Sequence, residues 1–356
     1  MREKIRAEIE KSLGNGRIKV LLGPYSKNKT IFLNDELSKI SNDMFYVVSG
    51  SPNGFLLNFL KTNLKISHRR IFVIDRFTDY DNIVEIINMF EGNKEVDLIV
   101  SSNMYLELFL EDNATLIRGR LQYIYFPPFS FEDLSNQSTI SEIIEYVKSI
   151  DNDLFDGLVG FKYINETKKI CRALINFIGY PLSFRMLYNI ANVDVSQNTF
   201  INIFNYIART GLVHVISRFN LEDNHILPTT FYCFPTDPSL IYQNRDLDEK
   251  KWIARVVESL IVYRAIKDAR FVYKAIYRNS DSDDKNALLH TFVVLEGNKH
   301  YLLKIHLDNN ETSLENYLSQ KYYLQKCVVV LDDIDTYVDD HGVIFIGASQ
   351  YIRKGL

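Results

Sequence analysis

Five short apolar runs punctuate the first 126 residues, at 18–22, 44–48, 71–74, 98–101 and 123–126, each rich in Val, Ile, Tyr or Phe. Between them apolar residues recur at intervals of three and four, over 31–40, 56–63, 83–90 and 105–111. Buried-strand runs alternating with helix-period segments predict an α/β fold, a parallel sheet with helices on both faces. A sheet of this kind presents its ligand site at the carboxyl ends of its strands.

The first such end carries the most specific segment of the chain, Gly23-Pro24-Tyr25-Ser26-Lys27-Asn28-Lys29-Thr30. It follows an apolar run and opens a helical stretch at Thr30, the context a phosphate-binding loop of pattern G-x-x-x-x-G-K-[ST] requires. One position departs from the pattern: Asn28 replaces the second glycine. Glycine there lets backbone amides curl around phosphate, and Asn is the residue next most tolerant of left-handed backbone. The loop is therefore expected to keep its bend while the Asn28 side chain crowds the phosphates, weakening binding without abolishing it. The candidate nucleotide contacts are Gly23, Ser26, Lys27, Asn28, Lys29 and Thr30.

A second carboxyl end carries a carboxylate. The run Arg69-Arg70-Ile71-Phe72-Val73-Ile74-Asp75 places Asp75 where it reaches a magnesium ion beside a bound phosphate, because a hard cation takes oxygen ligands. A water-activating residue is expected next, but Arg76 stands there and cannot accept a proton. Asp79, one turn further, is the remaining carboxylate that can serve as base.

Three further segments complete a pattern: Asp97-Leu98-Ile99-Val100-Ser101-Ser102-Asn103, Ile117-Arg118-Gly119-Arg120 and Phe126-Pro127-Pro128-Phe129-Ser130-Phe131-Glu132-Asp133-Leu134. In this order the chain resembles the prokaryotic AAA-type ATPases that carry a winged helix and a C-terminal nuclease-like domain. The resemblance implies ATP and magnesium as cofactors, with Lys29 neutralising the β and γ phosphates and Thr30 and Asp75 holding the metal. It further implies that Ser102 or Asn103 touches the γ phosphate or its water. Arg120 would act near the nucleotide, within its own subunit or toward a neighbour in a homo-oligomer.

The expected domains are a P-loop domain at 1–135, a helical linker with a winged helix at 136–240, and a restriction-endonuclease-like domain at 241–356. Ser183 and Ser196 are placed to cap helices at 184–190 and 197–209, and strands follow at 212–217 and 229–234. The third helix carries one basic residue, Arg209, and the net charge is −4, so a packing or protein-contact role fits better than DNA binding. In the last domain, helix 252–266 and strands at 271–277, 288–295, 301–307 and 328–331 resemble the nuclease core. Its metal-binding carboxylates are missing: Thr291 stands for the Asp, and Lys304-Ile305-His306 for E-x-K, with Lys304 and His306 expected on the surface of an edge strand. The acidic run Asp332-Asp333-Ile334-Asp335 with Asp339, Asp340 and His341 is expected to be a solvated turn.

Cys171, Cys233 and Cys327 lie too far apart for a zinc spacing, and no apolar run is long enough to cross a bilayer. A cytoplasmic protein is expected, binding ATP with weak or absent hydrolysis. Two alternatives stand beside it, a nucleotide-free interaction scaffold and a winged-helix DNA-binding regulator.

Overall fold

The structure is a computed structural model, and it describes residues 2–24, 26–40, 44–48, 53–64, 70–110, 114–117, 119–127, 134, 136–150, 163–242, 249–268, 271–277, 290–297, 299–306 and 318–356. The 128–133 part of the proline-containing run, Arg118, and the Asp- and Ser-rich loop 279–286 lie outside these residues. By its internal contacts the chain forms two compact units, one chiefly Met1–Pro128 and the other chiefly Leu212–Leu356.

The first unit contains β1 (Ile18–Leu22), β2 (Met44–Val48), β3 (Arg70–Ile74), β4 (Val96–Ser102) and β5 (Leu121–Tyr125). They form one wholly parallel sheet in the order β2-β3-β4-β1-β5. Successive side chains of a strand point to opposite faces, and the apolar runs divide accordingly. Ile18, Val20, Phe72, Ile74, Leu98 and Val100 pack with Leu56 and Leu60 of helix Asn53–Asn63 and with Ile83, Ile86 and Phe90 of helix Ile83–Phe90. Leu21, Ile71, Val73, Ile99 and Ile124 pack on the other face with Ile5 and Ile9 of helix Arg2–Ser12 and with Phe32 and Leu33 of helix Ser26–Asp35. Each fully buried side chain of this size stabilises the fold by about 1.5–3 kcal/mol. The continuous apolar runs follow from burial on both faces.

One polar pair interrupts the second face. Lys19 of β1 donates to Asp97 of β4, and both side chains are buried. Asp97 also accepts from the amide of Gly14 at 3.0 Å, which joins the turn before β1 to the amino end of the sheet.

The helix after β1 begins earlier than its sequence suggests, at Ser26 rather than Thr30, and ends at Asp35 before a short 3-10 turn, Leu37–Lys39. Asn28 therefore lies inside a right-handed helix, and the left-handed bend expected of it does not occur. Replacing glycine by Asn removes a poor helix former, which lets the helix start before the lysine.

The second unit contains β6 (Val213–Asn220), β7 (His225–Pro235), β8 (Phe271–Ile276), β9 (Thr291–Glu296), β10 (Lys299–His306), β11 (Gln325–Val330), β12 (Tyr337–Val338) and β13 (Ile344–Gly347). They form one sheet in the order β12-β13-β11-β10-β9-β8-β6-β7. Helices Ile164–Asn176, Phe184–Ala191 and Gln197–Arg209 precede it in the chain, and the Ser183 hydroxyl accepts from the Met186 amide at 3.2 Å as the cap of the second. The β6–β7 hairpin expected as a wing is not free-standing, because β6 pairs in parallel with β8 from Arg218 to Asn220. β10 lies between β9 and β11, so Lys304 and His306 sit on an interior strand, not the expected edge. Asp339 uses its carboxylate to accept from the amides of His341 and Val343, at 2.9 and 2.7 Å, and so closes the acidic turn on itself.

Candidate functional site

The loop after β1 leaves the sheet between β4 and β5, the two neighbours of β1. Gly23 is buried there, with its amide donating to the Ser102 carbonyl at 3.2 Å. A Cβ on Gly23 would lie 2.0 Å from the Phe126 carbonyl oxygen, so the close approach of two backbones demands glycine. Pro24 follows, and Ser26 and Lys27 occupy the first turn of helix Ser26–Asp35.

The same helix sends two side chains toward the carboxyl ends of the strands. Lys29 is fully buried; its ammonium donates to the Gly23 carbonyl and to Oδ1 of Asn103, each at 2.6 Å. Thr30, one residue on, donates its hydroxyl to Oδ2 of Asp75 at 2.5 Å. The other oxygen of Asp75 accepts from the Ser101 hydroxyl. Ser101 Oγ in turn accepts from the Arg76 amide at 2.8 Å. Helix, β3 and β4 thus bring together two hydrogen-bonded groups, Lys29 with Asn103 and Thr30 with Asp75 and Ser101.

Ser101 was not among the residues singled out from the sequence, and period-two alternation would have found it. Ser101 and Asn103 are two apart at the end of β4, so both face these groups. Ser102 faces away, and its hydroxyl donates to the Met104 carbonyl at 2.6 Å. Of the two residues expected near the phosphates, Asn103 lies beside Lys29, whereas Ser102 is turned away.

Asp79 and Arg120 stand apart. Asp79 closes the 3-10 turn Phe77–Asp79, where its Oδ2 lies 2.8 Å from the Arg76 guanidinium. The Arg120 carbonyl accepts from the Ile18 amide at 3.0 Å, which fixes Arg120 at the amino end of the sheet. Five residue rises separate that end from Gly23, roughly 16 Å at the strand repeat. Its guanidinium pairs with Glu91 at 2.9 Å and donates to Asn88. The expectation that Arg120 acts on phosphates within its own chain is thereby corrected, since the parallel strand direction carries it to the opposite rim.

The Thr30 hydroxyl and Asp75 carboxylate are hard oxygen donors on converging elements, the set that magnesium takes alongside water and phosphate oxygens. Lys29 supplies the cation that phosphate binding requires.

Elsewhere, helix Glu249–Lys267 buries Glu258 with its Oε1 3.7 Å from the Lys274 ammonium and 3.3 Å from Nδ1 of His290. Burial, partly offset by Glu258, lowers the Lys274 pKa to about 8. Thr291 is fully buried beside this group in sequence and supplies no carboxylate. Among the described residues, no group of three or more His, Cys, Asp or Glu is placed to hold a metal ion, and no helix is long and apolar enough to cross a membrane.

No family model matches the sequence, and no curated protein does. Among solved structures the chain is similar to Drosophila ORC bound to AT-rich DNA and Cdc6, at 14% identity and a TM-score of 0.26, over 68% of this chain and 91% of that one. It is similar to the Aeropyrum pernix Orc1 protein in complex with DNA, at 10% identity and 0.29, over 72% and 94%. The Thermotoga maritima RuvB Holliday junction branch migration motor is similar at 12% identity and 0.30, over 69% and 95%. With scores this low, the assignment of the site rests on the strand order and the side-chain cluster alone. The parallel sheet, the loop after β1 and the placement of Lys29, Thr30 and Asp75 fit a P-loop ATPase fold.

Proposed function

We propose that the chain binds ATP with magnesium at the loop between β1 and helix Ser26–Asp35, and hydrolyses it slowly or not at all. The observation that carries this reading is the pairing of Thr30 with Asp75 at 2.5 Å, beside a buried Lys29, at the carboxyl ends of a parallel sheet. Thr30 and Asp75 would hold the magnesium, which would draw charge from the last two phosphates. Lys29 would exchange the Gly23 carbonyl and the Asn103 amide oxygen for phosphate oxygens. Weak hydrolysis follows from the groups around the cluster. Arg76, which follows Asp75, cannot take a proton from water.

Residues 136–240 and 241–356 are proposed to form winged-helix and nuclease-like parts without nuclease chemistry. Thr291, Lys304 and His306 at the relevant strand positions support this, because none of the three is a carboxylate that could hold a metal.

A nucleotide-free scaffold is the competing reading. It is favoured by the two 2.6 Å bonds that already occupy the Lys29 ammonium. Thermal unfolding separates the two. Millimolar magnesium-ATP is expected to raise the melting temperature by about 3 °C or more, through binding to the native state alone. Lys29→Ala is expected to remove that rise. An unchanged melting temperature in the unaltered protein would leave the scaffold reading standing and overturn ATP binding.

A further inference from the structure

The residue after Asp75 is held in an unusual conformation. Arg76 has φ 53° and ψ 52°, left-handed backbone that a residue with a long side chain rarely adopts. Such conformations persist where their surroundings over-determine them, often at ligand sites. Here the surroundings are the cation-binding cluster itself. The Arg76 amide donates to Ser101 at 2.8 Å, Ser101 donates to Asp75, and Thr30 donates to the other oxygen of Asp75.

The backbone of Arg76 is fixed, but its guanidinium is not committed to the core. Nε lies 2.8 Å from Oδ2 of Asp79, with the two side chains 43% and 33% exposed. An exposed ion pair of this kind contributes little and is readily exchanged. A phosphate dianion offers the same guanidinium two parallel charge-assisted bonds, the geometry for which arginine is preformed. The position also selects which phosphate. Lys29 serves the loop after β1, whereas Arg76 lies two residues beyond the end of β3, with β4 between the two strands. Arg76 therefore belongs to the end of a phosphate chain remote from the loop, beside the cation held by Thr30 and Asp75.

We propose that Arg76 is a phosphate ligand, exchanging Asp79 for the terminal phosphate of a nucleoside triphosphate, so that the site prefers triphosphate to diphosphate. The inference rests on the nucleotide reading above and adds a specificity-determining residue to it. Binding exchanges the Asp79 carboxylate for phosphate and places a cation directly after Asp75.

The test is equilibrium titration of the full chain with fluorescent ATP and ADP analogues in magnesium. The unaltered protein is expected to bind the triphosphate about tenfold more tightly, equivalent to about 1.4 kcal/mol. Arg76→Gly deletes the guanidinium while suiting left-handed backbone, so the turn is retained. It is expected to bring the ratio to about one and to leave diphosphate affinity within roughly twofold. Asp79→Ala removes the competing carboxylate and is expected to tighten triphosphate binding about two- to threefold, with diphosphate unchanged. A preference that survives Arg76→Gly overturns the proposal, as does an equal loss of both nucleotides in that variant. If the unaltered protein binds both nucleotides equally, the Arg76 assignment falls and nucleotide binding stands. If it binds neither, both fall.

Discussion

The Thr30 hydroxyl lies 2.5 Å from Oδ2 of Asp75, joining the first turns of the helix after β1 to the carboxyl end of β3. Both oxygens are hard donors, and Asp75 is buried with its second oxygen held by Ser101. Asp75→Asn retains the shape but loses the charge that attracts a divalent cation. We expect it to weaken magnesium-dependent nucleotide binding by about tenfold or more, with little effect on binding in EDTA. Parallel titrations with and without magnesium check this; an equal loss in both would assign Asp75 to packing.

Gly23 lies against the backbone that follows β5. A Cβ there would stand 2.0 Å from the Phe126 carbonyl oxygen, which is itself fixed because the Phe126 amide donates to Leu22 at 2.7 Å. Gly23→Ala is expected to cost about 3 kcal/mol or more, because neither backbone can retreat without breaking the sheet. Gly92→Ala is the control: φ is +69°, and nothing lies within 4 Å of the added Cβ. It should cost only about 1 kcal/mol. Urea denaturation of both variants measures the difference.

Lys19 and Asp97 form a buried ion pair at the amino end of the sheet, remote from the loop. Removing one partner strands the other, so Lys19→Met is expected to destabilise the protein by about 3–5 kcal/mol. Lys19→Met combined with Asp97→Asn should cost less than the sum of the single changes. A double-mutant cycle by chemical denaturation measures the coupling, and strict additivity would contradict a direct interaction.

His214 supplies a pH dependence. Burial lowers its pKa from 6.5 to about 4, and Nε2 has no hydrogen-bond partner among the described residues. The folded state thus binds fewer protons than the unfolded state between these values, so stability rises with pH there. Conversely, the contribution is lost as pH falls from 6.5 toward 4, by roughly 3 kcal/mol at most. His214→Phe preserves an aromatic ring stacked on Tyr263, now 5.3 Å between centroids, and should flatten the stability curve over this window. Denaturation midpoints from pH 4 to 7 compare the two.

The apolar runs of the first unit announce their strands because burial on both faces leaves few polar positions to interrupt them. The cluster was legible in part. Lys29, Thr30, Asp75 and Asn103 follow from a loop and two strand ends, whereas the inward turn of Ser101 and the outward turn of Ser102 follow only from the alternation along β4. Asn28 was weighed as a bent-loop residue, whereas replacing glycine lets the helix begin at Ser26. Arg120 illustrates a different limit. Its segment suggests a role near phosphate, but strand direction decides which rim it occupies. The union of β6 with β8 was hidden because parallel pairing has no turn between its strands to betray it. Lys304 and His306 looked like edge residues by composition, yet β9 and β11 flank them.

The most direct test is a crystal structure of the full chain soaked with magnesium and a nonhydrolysable ATP analogue. The account predicts phosphate density at the loop, with the Lys29 ammonium moved from the Gly23 carbonyl and Asn103 to phosphate oxygens at about 3 Å. It also predicts a cation beside Thr30 and Asp75. Lys29 still bonded to Gly23 and Asn103 at 2.6 Å, with no phosphate density at saturating analogue, would contradict nucleotide binding at this site.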